Sequence, residues 1–244
     1  MRPPRAPNRG AGGGYGIRGL SNPLSWLVLL TVLAIGRCEG PAAARDDGPT
    51  LLVKPDSSIV PADTRVSFFC RADGNPIPTV VWRRNGDPIS DSRFTTKTLT
   101  NGLSTLRIDP VELSDNNLTI SCTADNGVGS PIKAEAVLTV LGYEQLPSGF
   151  PEIEAHPVLK SVEQGRTAYV TCRVKGNPRP RVLWLRDLMP IDIRSNNRYS
   201  VSTLGNPGAL MIQQAREDDQ GKYECVARNE HGVIHSKPAH IYVK

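Results

Sequence analysis

The sequence predicts an all-β fold of two tandem sandwiches, because one Cys–Trp–Cys framework occurs twice: Cys70, Trp82, Cys122 and Cys172, Trp184, Cys225. Equivalent positions lie 102, 102 and 103 residues apart, so the chain contains two copies of one domain. This spacing is typical of an I-set immunoglobulin-like domain, in which the Trp packs on one inter-sheet disulfide. We therefore expect the disulfides Cys70–Cys122 and Cys172–Cys225.

Strand and turn signals repeat in the same order in both copies. Apolar residues alternate up to the first cysteine: Val66, Phe68 and Cys70, then Ala168, Val170 and Cys172. A Gly-Asn-Pro-x-Pro turn follows at 74–78 and 176–180, since Gly tolerates positive φ and Pro fixes φ at about −65°. After the second cysteine, Ala-x-Asn-x-x-Gly at 124–129 and 227–232 predicts a hairpin between the last two strands.

The second copy carries a further structural signature. Tyr223 lies two residues before Cys225 and predicts a tyrosine corner, in which the hydroxyl bonds to backbone a few residues upstream. We expect Arg198 to pair with Asp219 near this corner.

The first copy departs from that signature. Ile120 takes the place of the Tyr, and Asn116 takes the place of the Asp. Arg93 is expected to lack its usual acid, although Asp115 is adjacent, and we expect the first domain to be the less stable one. The same stretch contains the only glycosylation sequon of the chain, at residues 117–119, which predicts a glycan on Asn117 at an exposed corner.

The N-terminus predicts a secretory signal peptide at residues 1–40. Arginines without acids precede an apolar run of 13 residues at 24–36, which is short for a membrane-spanning helix. An uncleaved signal anchor is the alternative. Cleavage removes the odd Cys38 and leaves four cysteines, which suits an oxidising extracellular compartment.

Charge and composition exclude several functional classes. Residues 1–40 hold five Arg and one Glu, so their removal lowers the formal net charge from +5 to +1 and gives no support for nucleic-acid binding. The cysteines have no C-x-x-C spacing, and no nucleophile–base pair connects the four histidines. We expect no metal, no cofactor and no catalytic residue. The domain boundaries are expected at 49–141 and 151–244, with a linker at 142–150.

The linker region carries a more specific resemblance. It reads Glu-Gln-Leu-Pro-Ser-Gly-Phe-Pro at 144–151, and the second domain continues with Trp-x-x-Asp-x-x-Pro at 184–190. These motifs resemble the first two immunoglobulin domains of the LAR-type (leukocyte common antigen-related) receptor protein tyrosine phosphatases. The resemblance covers about residues 49–244 and is stronger in the second domain.

That resemblance implies two domains packed side by side in an antiparallel V, at the membrane-distal tip of an adhesion receptor that acts at synapses and in axon guidance. It implies heparan or chondroitin sulfate proteoglycans and cell-surface or extracellular-matrix proteins as partners. Fibronectin type III repeats, one membrane span and two phosphatase domains follow in such receptors, whereas the phosphatase signature His-Cys-x-x-Gly-x-x-Arg does not occur in this chain. Contact with a membrane is therefore expected only through a part beyond the chain.

In the resembled family, a basic loop after the core Trp of domain one binds sulfated glycans. Here Arg84 and Arg93 match basic positions and Arg83 adds a charge, but lysines of the pattern are replaced by Asn85, Asp87 and Pro88. A second cationic strip lies in domain two and includes Arg179 and Arg181, for which a solvated face is the alternative interpretation.

One strand of domain two predicts a contact surface. Leu183 and Leu185 alternate with Trp184 and so face away from the core, which favours burial against domain one or a partner. The leading functional interpretation is an extracellular recognition module of a cell-surface receptor. The alternative is a secreted two-domain adhesion ligand or decoy, and transcript sequence beyond Lys244 distinguishes them.

Overall fold

In the strands of both domains, β-branched or aromatic residues alternate with polar residues. The computed structural model describes residues 46–203, 205 and 207–244. The predicted signal peptide and Cys38 lie outside the described residues. Domain one contains nine strands: β1 (Asp47–Val53), β2 (Ser58–Pro61), β3 (Val66–Asn75), β4 (Thr79–Arg84), β5 (Asp87–Pro88), β6 (Phe94–Thr98), β7 (Leu103–Ile108), β8 (Leu118–Asp125) and β9 (Ile132–Leu141).

These strands form two sheets, in the orders β1-β3-β7-β6 and β2-β9-β8-β4-β5. All pairs are antiparallel except β2 with β9. The disulfide Cys70–Cys122 joins β3 to β8 across the sheets. Trp82 lies in the same buried cluster, and its indole Nε1 donates to Ser104 Oγ at 2.9 Å. The buried indole therefore has a hydrogen-bond acceptor.

Domain two contains eleven strands: β10 (Glu152–Ala155), β11 (Lys160–Val162), β12 (Ala168–Val170), β13 (Arg173–Lys175), β14 (Arg181–Arg186), β15 (Met189–Pro190), β16 (Tyr199–Val201), β17 (Leu210–Ile212), β18 (Gly221–Asn229), β19 (Gly232–His235) and β20 (Ala239–Val243). One sheet has the order β11-β20-β18-β14-β15, with β19 also paired to β18. Facing it are β12-β17-β16 and the pair β10-β13.

The core of domain two repeats the arrangement of the first. Cys172–Cys225 joins the two faces, and Trp184 and Tyr223 are almost fully buried beside it. The Trp184 Nε1 donates to the carbonyl of Gly208 at 2.8 Å. The two disulfide-containing sandwiches confirm the predicted all-β fold.

The linker is held on domain two. A short 3-10 helix, Tyr143–Gln145, follows β9, and the buried Phe150 precedes β10. The carbonyl of Gly149 accepts from Asn229 Nδ2 at 2.8 Å and from the Asn177 amide at 3.0 Å. Gly149 has a φ of +85°, and a Cβ there would lie 2.1 Å from the Asn177 oxygen, so this position requires glycine.

Candidate functional site

The two domains contact each other directly. Domain one contributes β2, β3, β6 and β7, and domain two contributes β14, β15, β18 and β19. Leu185, Val226 and Val233 of domain two join the buried apolar cluster of domain one, and Leu185 is fully buried. This confirms the prediction that the outward leucines of β14 contact domain one, although Leu183 remains 38% exposed.

A buried ion pair lies in this interface. Arg107 of β7 donates through both terminal nitrogens to the carboxylate of Glu224 on β18; the Nη2–Oε2 distance is 2.9 Å. Both side chains are almost fully buried, and the Nδ1 atom of His235 lies 3.8 Å from Glu224 Oε1. A bidentate pair satisfies both carboxylate oxygens, which offsets the desolvation of the two charges.

The electrostatics of this cluster follow from burial and from the cation. Burial by itself would raise the pKa of Glu224, but the adjacent His235 and Arg107 outweigh it and lower that pKa to about 2. Burial lowers the pKa of His235. Glu224 is therefore ionised and His235 is neutral near pH 7.

Further polar contacts lie on both sides of the Arg107–Glu224 pair. At one side, Lys97 Nζ donates to the carbonyl of Asp187 at 2.9 Å. At the other side, Arg228 pairs with Asp56 at 2.8 Å and donates to Ser58 Oγ at 2.7 Å. These contacts join several strands of each domain across the interface. The sequence does not predict the buried pair of Arg107 and Glu224. Strand alternation shows that both side chains face outward, but not that they face each other.

Both domains contain the same Arg–Asp corner. In domain two, Arg198 pairs with Asp219 at 2.7 Å, and Tyr223 Oη donates to the carbonyl of Asp219 at 2.6 Å. Both predicted contacts are confirmed. In domain one, Arg93 pairs with the fully buried Asp115 at 2.7 Å.

The expectation that Arg93 lacks its acid is therefore wrong. Asp115 and Asp219 each end a 3-10 helix, Leu113–Asp115 and Glu217–Asp219. Counting back from Cys122 and Cys225 aligns Asn116 with Asp219. The true equivalent is Asp115, because domain one has one additional residue between this aspartate and its cysteine. Asn117 has a φ of +63°, a left-handed conformation that Asn tolerates better than most residues, and it accommodates the additional residue.

The predicted basic loop does not contain a free pair of cations. The guanidinium carbons of Arg84 and Arg93 lie 5.5 and 5.6 Å from the ring centroid of Phe94. Both guanidinium groups also lie within ion-pairing distance of Asp91 and Asp115. Arg83 is half-buried and donates to the carbonyl of Gly86 at 3.4 Å. Neighbouring carboxylates thus compensate the charges of Arg84 and Arg93. Their assignment to sulfate binding stays a prediction, which this geometry does not favour.

The cationic residues of domain two are placed differently. Arg179 and Arg181 are exposed, and within the part of the chain that the structure describes neither has an ion-pair partner. Arg181 lies opposite Arg228 in the β14–β18 pairing.

Asn117, the predicted glycosylation site of domain one, is exposed.

Within residues 46–203, 205 and 207–244, no group of three or more His, Cys, Asp or Glu residues could hold a metal ion. No helix in the described part is long and apolar enough to cross a bilayer.

Family models match both domains. The immunoglobulin I-set domain model matches residues 151–239, and a second immunoglobulin domain model matches residues 49–126.

The chain is similar to tyrosine-protein phosphatases. The chain is 64% identical over 200 residues to a tyrosine-protein phosphatase Lar-like of Caenorhabditis elegans, which covers 82% of this chain and 9% of that protein. It is 41% identical over 198 residues to tyrosine-protein phosphatase Lar of Drosophila melanogaster, covering 80% of this chain and 10% of that protein. The chain thus spans about a tenth of the length of these curated relatives.

A solved structure shows the same pair of domains. The crystal structure of the N-terminal Ig1-2 module of the Drosophila receptor protein tyrosine phosphatase DLAR is 41% identical, with a TM-score of 0.71, and the match covers 80% of this chain and 98% of that one. The relatives and this solved structure indicate the same family. The chain belongs to the family of LAR-type receptor tyrosine phosphatases and corresponds to their first two immunoglobulin domains.

Proposed function

We propose that the chain is a cell-surface recognition module, the N-terminal ligand-binding tip of a receptor-type tyrosine phosphatase ectodomain. Its partners would be cell-surface or extracellular-matrix proteins. The observation that carries this proposal is the buried interface around Arg107 and Glu224, which makes two domains one recognition surface. A surface fixed before binding loses less conformational freedom when a partner docks.

Cell binding tests the proposal. The full chain would be secreted with a C-terminal reporter and applied to neuronal and epithelial cells, with parallel samples treated with trypsin or with heparinase and chondroitinase. Saturable binding that trypsin abolishes supports recognition of a protein. Absence of saturable binding on every cell type contradicts a recognition module.

A second candidate partner is a sulfated glycosaminoglycan. The observation that favours it is the exposure of Arg179 and Arg181 without a carboxylate partner among the described residues. Binding of a polyanion depends on such cations, because it releases counterions from the glycan. In domain one, Arg84 and Arg93 are already paired with carboxylates.

Heparin chromatography of variants distinguishes the basic loop of domain one from the cationic strip of domain two. We expect the double variant Arg179→Ser and Arg181→Ser to elute at lower salt than the wild type, whereas Arg84→Ser with Arg93→Ser would leave elution unchanged in the fraction that remains folded. Elution of the wild type below physiological salt would reject glycosaminoglycan binding. An equal effect of both double variants would reject the assignment to domain two.

We also propose that the receptor containing this module is a single-pass type I membrane protein of the cell surface. The solved structure named above is part of a receptor protein tyrosine phosphatase, which supports the proposal. Sequencing of the transcript beyond Lys244 tests it: continuation into fibronectin repeats supports a receptor, and a stop codon supports a secreted ligand or decoy.

A further inference from the structure

A small apolar cleft opens between the two domains. It has a volume of about 240 Å³. Its apolar lining comes from both domains: Val53, Phe69, Leu183, Val226 and Val233. Val226 and Val233 are buried, whereas Val53 and Leu183 are 40% and 38% exposed. Buried residues therefore lie at its base, and an exposed aliphatic side chain from each domain lies at its opening.

One polar atom in the cleft has no partner. Ser67 lies on β3, lines the cleft and is only 9% exposed. Its hydroxyl oxygen makes no hydrogen bond within the described part of the chain. An unsatisfied buried hydroxyl is costly, so a ligand atom that bonds to it would gain affinity.

The rim of the cleft is cationic. Lys54, Arg181 and Arg228 line it together with one acid, Asp56. Asp56 pairs with Arg228 at 2.8 Å, whereas Lys54 and Arg181 have no carboxylate partner in the described ranges. The rim thus carries two uncompensated positive charges, and an occupant with carboxylates complements them.

We propose that this cleft is a docking site for a single Trp or Tyr side chain, flanked by acidic residues, in a loop of a protein partner. The proposal rests on the recognition function proposed above. Small-molecule sites span about 300–1,000 Å³, so a smaller cleft suits one side chain better than a cofactor. Trp and Tyr combine a large apolar ring with one polar group, which here bonds to Ser67. Such a buried aromatic anchor is the usual centre of a protein interface.

A peptide titration tests the proposal directly. The full secreted chain would be labelled with ¹⁵N-valine and ¹⁵N-leucine and titrated with acetyl-Glu-Trp-Glu-amide. We expect saturable shifts in the amide signals of Val53, Leu183, Val226 and Val233. Two control peptides should bind at least tenfold more weakly than acetyl-Glu-Trp-Glu-amide. Acetyl-Glu-Ala-Glu-amide lacks the aromatic ring, and the lysines of acetyl-Lys-Trp-Lys-amide are repelled by the cationic rim of the cleft.

Two variants complete the test. Leu183→Ser should weaken the acidic Trp peptide at least tenfold, whereas Val81→Ser, an exposed valine on β4 of domain one that does not line the cleft, should not. Absence of saturable shifts at the cleft, or equal binding of the lysine peptide, overturns the proposal.

The cell assay distinguishes failure of the cleft from failure of the recognition function. If the wild type binds cells and Leu183→Ser binds equally well, the assignment of partner docking to the cleft is wrong and the recognition function stands. If the wild type does not bind cells, the recognition function is wrong, and with it the role of the cleft in partner docking.

Discussion

At the residue scale, the interface depends on the buried ion pair between Arg107 and Glu224. Arg107 satisfies both oxygens of Glu224, and neither side chain is more than 6% exposed. Removing one partner of such a pair leaves an uncompensated buried charge, which is much more costly than removing both.

We expect Arg107→Met to lower the free energy of unfolding by about 3–5 kcal/mol, measured by urea denaturation. The double variant Arg107→Met with Glu224→Met should recover most of this loss. Lys133→Met breaks the exposed pair of Lys133 with Glu135, 2.5 Å apart, and should cost less than about 1 kcal/mol. Equal effects of Arg107→Met and Lys133→Met would contradict the structural role of the buried pair.

His235 gives the interface a dependence on pH. Burial lowers its pKa in the folded state, while in the unfolded chain a histidine titrates at about 6.5. Below about pH 6.5 the unfolded chain therefore binds a proton that the folded chain refuses, so stability decreases as the pH falls from 7 to 5. We expect His235→Gln to reduce this decrease, measured as the unfolding midpoint at each pH. The same slope in wild type and variant would show that His235 is not responsible.

At the scale of elements, the Arg–Asp corner is the same device in both domains. Arg93 with Asp115 and Arg198 with Asp219 each hold the turn before the strand that carries the second cysteine of the domain. The sequence predicted the second pair but not the first, because a one-residue difference between the copies hides Asp115 when positions are counted from the cysteine. Only the 3-10 helices that end at the two aspartates reveal the equivalence.

We expect Arg93→Ala and Arg198→Ala to destabilise their own domains to a similar degree, by about 3 kcal/mol, because each removes the nearest cation of a buried aspartate. Differential scanning calorimetry of the full chain would measure this. Arg166→Ala, which breaks an exposed pair with Glu163, is the control and should change stability by less than about 1 kcal/mol. A negligible effect of Arg93→Ala alone would restore the view that domain one lacks the corner.

The predicted difference in stability between the domains stays a prediction. The structure removes one reason for it, the missing acid, and leaves the other, which is Ile120 in place of Tyr223. The Tyr223 hydroxyl bonds to backbone, whereas Ile120 is fully buried and has no polar group to do so.

At the scale of the whole molecule, the repeated Cys–Trp–Cys framework was sufficient to predict both sandwiches, because disulfide and core Trp occur at fixed positions in this fold. Strand alternation was also sufficient to show that Leu185 faces away from its own core. It could not identify the residues that face Leu185, since contacts between domains depend on the three-dimensional arrangement set by the linker. For the same reason the cleft beside Ser67 has no sequence signal.

The central claim is that the interface holds the two domains in one arrangement. Small-angle X-ray scattering of the secreted chain tests it most directly, with Leu185→Arg combined with Glu224→Arg as the variant that removes the interface. We predict that a single arrangement of residues 46–244 fits the wild-type profile and that the variant has a larger radius of gyration. A wild-type profile that requires a mixture of open and closed arrangements, or equal radii for the two proteins, would contradict the claim.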